Sequence, residues 1–183
     1  MSRFERLEQA GRCQVLFGDE SGFCLAPCLP YLWQRKGQAS VGLPVQAHSR
    51  RLSVFGLLRK SDGRLWHFPT TERLTARHVV DSIESLLPEG GAPMERPTVL
   101  VLDNAGVHRA KAVREKRKEW RRRGLRLLFL PPYSPHLNAI EVLWRSVKYR
   151  WLPTDAYRDF PALCHSVLRV LDQVGSQYRI NFA

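Results

Sequence analysis

No stretch of these 183 residues reaches the run of about 18 apolar residues that a membrane-crossing helix needs, and no basic segment leads into a short apolar one near Met1. A membrane span and a cleaved export leader are therefore not expected. Cysteine is scarce and irregular: Cys13, Cys24, Cys28 and Cys164. Cys24 and Cys28 are close, but no second pair stands at ligand spacing, which argues against a zinc site. Nothing suggests a disulfide framework, so the chain reads as reduced and intracellular. Internal repeats and low-complexity tracts are absent too. Acid is the scarcer charge, 17 Asp plus Glu against 29 Lys plus Arg, for a net charge of +12. A chain this basic is expected to meet a polyanion.

The length suits one domain with a real core. Gln14 to Gly18 reads as an apolar strand ending on Asp19-Glu20-Ser21. Phe23 to Pro30 reads as a second strand broken at Pro27, followed by a hairpin-like return over Tyr31 to Gly37. Arg51 to Leu58 is a third strand, Ser61-Asp62-Gly63 a turn, and Leu65 to Phe68 an extension of the sheet. Thr75 to Leu87 reads as a helix capped by Thr75 and stopped at Pro88, with Asp81 and Glu84 on its solvated face. Thr98 to Leu102 is a buried strand ending on Asp103-Asn104. His108 to Arg123 is a helix, Leu125 to Leu130 a strand, and Phe160 to Val174 a closing amphipathic helix. The order is α/β with a mixed sheet and helices on its faces.

Between the last strand and the closing helix lies L-P-P-Y-S-P-H-L-N-A-I-E-V-L-W-R-S-V-K. Pro131, Pro132 and Pro135 stop the strand. From about Leu137 the pattern turns helical, with Ile140, Trp144, Val147 and Trp151 on one apolar stripe and Glu141 in the first turn. Two strand ends thus deliver Asp19 and Asp103, and a helix start delivers Glu141. Convergent carboxylates repel unless cations sit between them, and hard oxygen-preferring Mg²⁺ or Mn²⁺ suits such a set. Paired ions of this kind serve phosphoryl transfer. Asn138 to Glu141 also fits a helix capping box, which would make Glu141 a stabiliser worth about 1 kcal/mol. Glu20 points to the opposite face if its strand continues, and is not expected to be a ligand.

The motifs D-E-S-G-F, V-L-V-L-D-N-A-G-V-H and L-P-P-Y-S-P-H-L-N-A-I-E-V-L-W-R-S-V-K together resemble the catalytic domain of DDE transposases, in particular the bacterial insertion-sequence relatives of the mariner superfamily. The resemblance covers Cys13 to Trp151. It implies a ribonuclease H-like fold with a mixed five-stranded sheet flanked by helices. It also implies DNA strand cleavage and strand transfer, with two Mg²⁺ ions (Mn²⁺ as a possible substitute) held by Asp19, Asp103 and Glu141. Trp33 and Gly37 match the tryptophan and glycine that follow the first acid, and Ala139 stands where relatives commonly have proline.

DNA, a homodimer and cytoplasmic, nucleoid-associated location in a bacterium are implied as well. Residues 1–12 read as a tail or the end of an upstream helix, 13–152 as the catalytic domain and 153–183 as a C-terminal helix packed on it. Twelve residues leave no room for the helix-turn-helix modules such enzymes carry. A separate helix-turn-helix protein is one source of end recognition; otherwise the chain is a remnant or an excised piece. Candidates for DNA contact or for orienting the acids are Asn104, His108, Lys111, Arg114, Arg117, Lys118, Arg121, Arg122, Tyr133, Asn138 and Lys148. The basic run is equally a solvated helix face, His108 is equally a helix start, and Trp144 and Trp151 are equally core. Rival readings are an inactive DNA-binding or oligomerising remnant and another ribonuclease H-like nuclease.

Overall fold

Strand β1 (Gln14–Cys24) is the middle of the sheet, and it does not stop at Asp19. Antiparallel pairing with β2 (Arg51–Arg59) runs from Leu16↔Arg59 to Cys24↔Arg51, so the neighbour holds the chain extended past both acids. The expected break after Asp19 is therefore absent, and Phe23 and Cys24 finish β1 rather than open a second strand. The structure, a computed structural model, describes residues 3–26, 36–37 and 50–182. Residues 27–30 of the expected second strand and 31–35 of its hairpin-like return, Trp33 among them, lie outside the described residues; Gly37, which is described, has φ +91°.

Strand β3 (Arg64–Thr70) pairs antiparallel with β2, while β4 (Thr98–Leu102) and β5 (Leu125–Phe129) extend the other side in parallel. The order is β3-β2-β1-β4-β5. Before β1 comes a short helix, α1 (Arg3–Gln9). Between β3 and β4 lies α2 (Ala76–Glu84), shorter than the pattern predicts because its last turn tightens before Pro88. Its N-cap Thr75 donates its backbone N–H to His78 Nδ1 at 3.1 Å. Helix α3 (Lys111–Arg122) starts three residues after His108, so His108 belongs to the preceding turn. The proline segment forms a single 3-10 turn, Pro135–Leu137, and α4 (Ile140–Ser146) follows, continuing into a π turn at Val147–Trp151. Helix α5 (Phe160–Asp172) is capped by Asp159, whose carboxylate accepts the Ala162 N–H at 2.7 Å.

Alternation along the strands feeds two cores, one per face. On one face Val15, Phe17, Val54, Leu58, Val99 and Val101 pack against Ile140, Leu143, Trp144 and Val147 of the α4 segment and Leu163, Val167 and Leu171 of α5. On the other, Leu16, Phe55, Leu57, Leu100 and Leu102 pack against Val79 and Ile83 of α2 and Val113 and Trp120 of α3. Glu84 is not the solvated residue expected of it. Trp120, wholly buried, needs an acceptor, and Glu84 Oε1 takes its indole N–H at 2.9 Å and pairs with Lys116 at 3.1 Å. Asp81 does remain exposed, with only a 3.6 Å approach to Arg77. Among the described residues Cys13, Cys24 and Cys164 are free, and no helix is long and apolar enough to cross a membrane.

Candidate active site

Because β1 alternates, Asp19 faces the α4 core and Glu20 faces the α3 core. Continuing the parallel register from Phe17↔Val101 brings Asp19 level with Asp103, one residue beyond the end of β4. Across the antiparallel pair, Asp19 stands opposite Gly56. A Cβ at Gly56 would lie 2.7 Å from Trp144 Cζ2 and 3.1 Å from Ile140 Cδ1. Glycine is thus required there for α4 to close on the sheet beside Asp19, and that closure brings in Glu141, in the first turn of α4.

Asn138 makes the second link between α4 and β1. It is buried, and its Nδ2 donates to Gly18 O at 3.2 Å. The capping box that the N-x-x-E spacing allowed does not form: the N-cap position is Ala139, and α4 has no side-chain cap. Asn138 spends its amide on the strand, which frees Glu141 from the role of a stabiliser.

Asp19 is 7% exposed. Burial, followed by the charges of Glu141, Glu20 and Asp103, pushes its carboxyl up to about 8. The three acids predicted from sequence are therefore within electrostatic reach of one another. They are not drawn into contact: among the described residues, no three His, Cys, Asp or Glu side chains stand closely enough to hold a metal ion.

Asp103 turns toward His108 instead. The wholly buried imidazole donates from Nδ1 to Asp103 Oδ1 at 2.6 Å, and the Ala105 N–H donates to the same oxygen at 2.9 Å. His108 Nε2 approaches Glu20 Oε2 at 3.1 Å, an ion-pair distance without hydrogen-bond alignment. Burial alone would lower the His108 pKa, but its bond to Asp103 and the nearby Glu20 carboxylate outweigh burial and raise it to about 9. The His108 bond in turn holds the Asp103 carboxyl below the usual carboxylate range. His108 is thus no exposed helix start but the link between Asp103 and Glu20. Sequence reasoning missed the Glu20 half of this pair, although the strand alternation that sends Glu20 to the other face was legible.

Asn104 fixes the adjacent loop: Nδ2 donates to Leu130 O at 2.5 Å and Oδ1 accepts from Arg109 at 2.9 Å. Lys111, Arg114, Arg117, Lys118, Arg121 and Arg122 lie along α3, and all six are exposed. This helix runs back from the acid end of the sheet, since Gly124, just past it, accepts the Thr98 N–H at the opposite end of β4. Lys111 and Arg114 therefore stand nearer the acids than Arg121 and Arg122, about 15 Å further along the helix. Tyr133 is completely exposed, while Lys148 is half-buried with its ammonium 5.6 Å from the centre of the Phe23 ring. Trp144 is core, and Trp151 packs on Tyr178 with ring centres 5.0 Å apart.

A cation that neither sequence motif nor periodicity flagged is Arg51, at the start of β2. Its guanidinium lies over Gly22, where a Cβ would come within 2.2 Å of Cζ. A side chain at Gly22, two residues along from Glu20 on the same face, would displace that guanidinium.

The fold is that of several solved structures. The Mos1 Strand Transfer Complex matches with TM-score 0.61 at 18% identity, over 96% of this chain and 51% of that one. The simian T-cell lymphotropic virus intasome in complex with PP2A regulatory subunit B56 gamma matches with TM-score 0.59 at 12% identity, over 93% and 51%. The Mos1 mariner paired end complex with Mn matches with TM-score 0.52 at 16% identity, over 92% and 56%. These likenesses show the ribonuclease H-like fold. A Sinorhizobium fredii (strain NBRC 101917 / NGR234) protein, "Uncharacterized protein y4pE/y4sA", is 30% identical over 79 residues, covering 41% of this chain and 54% of that protein. The chain thus spans about half the length of the relatives it matches. The DDE superfamily endonuclease profile matches residues 14–164, from the first residue of β1 into α5, and the chain belongs to that family.

Proposed function

We propose that this chain is the catalytic domain of a transposase, cutting a DNA strand at an element end and joining the freed 3′-hydroxyl to target DNA. The observation that carries this reading is Asp19: a buried carboxyl pushed up to about 8 by burial and by the charges of Glu141, Glu20 and Asp103. A carboxyl in that field is poised to exchange its proton for a cation. The donor set, all carboxylate oxygen, suits Mg²⁺ or Mn²⁺ in chemistry, with Asp19, Asp103 and Glu141 as the residues that would hold two ions. Bound there, the metals supply Lewis acidity to the attacking and leaving oxygens of the phosphodiester.

The chain's own groups do the rest. Asp19 loses its proton on binding. His108 and the Ala105 N–H orient Asp103, and Asn138 and Gly56 set the position of α4 and so of Glu141. No side-chain nucleophile is called for. The cations of α3, nearest at Lys111 and Arg114, would meet the DNA backbone, as the net charge of +12 favours. A homodimer that pairs two ends, with end recognition supplied by a separate helix-turn-helix module, completes the proposal.

The test is Asp103→Asn. It removes one ligand charge and keeps the side-chain shape, so Mg²⁺-dependent strand cleavage is abolished while the fold and non-specific DNA binding stay near the parent's. A variant that still cuts DNA in Mg²⁺ refutes the assignment.

A further inference from the structure

Tyr133 combines three properties that do not usually meet in one residue. Its side chain is 101% exposed, although it is aromatic. Its φ of +54° makes it the one non-glycine residue in the left-handed region among those described, a conformation bulky side chains rarely adopt. It also lies on the rim of a cleft of about 420 Å³ that includes a catalytic acid. Asp103, Asn104, Leu130, Pro131 and Pro132 line that cleft. Proline on both sides limits how the segment can relax, and Asn104 Nδ2, bonded to Leu130 O, fixes the wall.

Strain of this kind persists where the surroundings over-determine it, and here its result is a ring held in solvent beside Asp103. The neighbouring cleft is largely apolar, with one carboxylate, Asp103, in its lining. A nucleobase fits, because it has an apolar face for the proline and tyrosine rings.

We propose that Tyr133 stacks on an unpaired DNA base at the substrate's single-stranded junction and that the Asp103–Pro132 cleft receives that base. This deepens the reading of the chain as a DNA-cutting domain and names what the rim of the site grips besides phosphate. Stacking on one base changes binding by roughly 5- to 150-fold.

The probe is a duplex with a short single-stranded 3′ tail carrying 2-aminopurine at the junction, compared with the same duplex blunt-ended. Both are titrated in Ca²⁺, without cleavage. The parent chain quenches 2-aminopurine and prefers the tailed duplex. Tyr133→Ala and Tyr133→Gly lose the quench and roughly 5- to 150-fold of that preference, with blunt-duplex affinity unchanged because phosphate binding carries it. Tyr133→Phe keeps both, since the ring remains. Tyr133→Gly also melts no lower than the parent, because glycine accepts the positive φ. A parent chain without tail preference, a Tyr133→Ala chain that keeps it, or a Tyr133→Phe chain that loses it overturns the proposal. A chain that shows the stacking but never cuts DNA in Mg²⁺ rejects the transposase reading and leaves this one standing.

Discussion

Replacing Gly56 with alanine tests how Glu141 is placed. The added Cβ would sit 2.7 and 2.8 Å from Trp144 Cζ2 and Cη2 and 3.1 Å from Ile140 Cδ1. Ordinary carbon–carbon separations lie at about 3.5–4.0 Å, so α4 must lift by roughly 1 Å. Neither neighbour can turn aside, since Ile140 is wholly buried and Trp144 2% exposed. Overpacking of this size costs about 1–3 kcal/mol. For a chain of this length that corresponds to a fall in Tm of roughly 2–12 °C. Because the displaced helix carries Glu141, a 1 Å misplacement also lowers Mg²⁺-dependent cleavage by on the order of 100-fold.

The compensating change is Trp144→Phe. It removes the two crowded ring atoms, and the indole N–H it deletes makes no hydrogen bond in the fold. The double variant therefore recovers stability that the single Gly56→Ala loses, a coupling readable from four melting curves. Gly56→Ala with parental melting and cleavage, or strictly additive single and double variants, would refute the claim that the bare backbone at Gly56 sets the helix position.

Two further predictions rest on other parts of the fold. Glu84→Ala leaves the buried Trp120 N–H without its acceptor and destabilises the chain by about 1–3 kcal/mol, whereas Glu84→Gln keeps an acceptor and costs less. Burial would raise the Glu84 pKa, but its bonds from Trp120 and Lys116 outweigh that and lower it. Its contribution is thus present above its ordinary pKa of about 4.3 and is lost as pH falls through the lowered folded value. The stability gap between parent and Glu84→Gln closes on that acid limb, and a gap constant down through it argues against the reading. Neutralising Lys111 and Arg114 weakens blunt-duplex binding and flattens its salt dependence by about 0.9 log-log units for each phosphate no longer neutralised; an unchanged slope places the DNA elsewhere.

The strands and helices were legible where apolar period and breakers agreed. Thr98–Leu102 came through to the residue, because a continuous apolar run ends on Asp103. The early end assigned to β1 failed for a non-local reason. Asp19-Glu20-Ser21-Gly22 has the composition of a turn, and only the pairing with β2, some thirty residues away, keeps it extended. Glu84 was misread for a similar reason: nothing local announces that Trp120, from another helix, will need its carboxylate. Asp19, Asp103 and Glu141 were picked out as a set because the pattern put each at the end or start of an element; Asp19 lies inside β1 instead, and the β1–β4 register is what brings it level with Asp103. Asn138 was among the candidates for orienting the acids, but Gly56 was not, since a glycine in an apolar strand has commoner explanations.

The length of β1 explains the electrostatics of the site. A strand that stopped at Asp19 would offer one acid to one face. Continued through Glu20, it sends consecutive carboxyls to opposite faces, where they meet different partners. Asp19 goes to the α4 side, among acids and away from water, and there retains a proton up to about pH 8. Glu20 goes to the α3 side, where His108 holds a proton up to about pH 9 and shares it with Asp103. Asp103, just past the last residue of β4, lies level with Asp19 yet bonds to His108, so it joins the two faces. Near neutral pH two protons, one on each face, thus offset part of the repulsion among the clustered carboxyls. A ligand that displaces the Asp19 proton must be cationic if it is to offset the same repulsion. That requirement follows from the placement of this chain's own side chains, and it is the physical content of reading the three acids as one site.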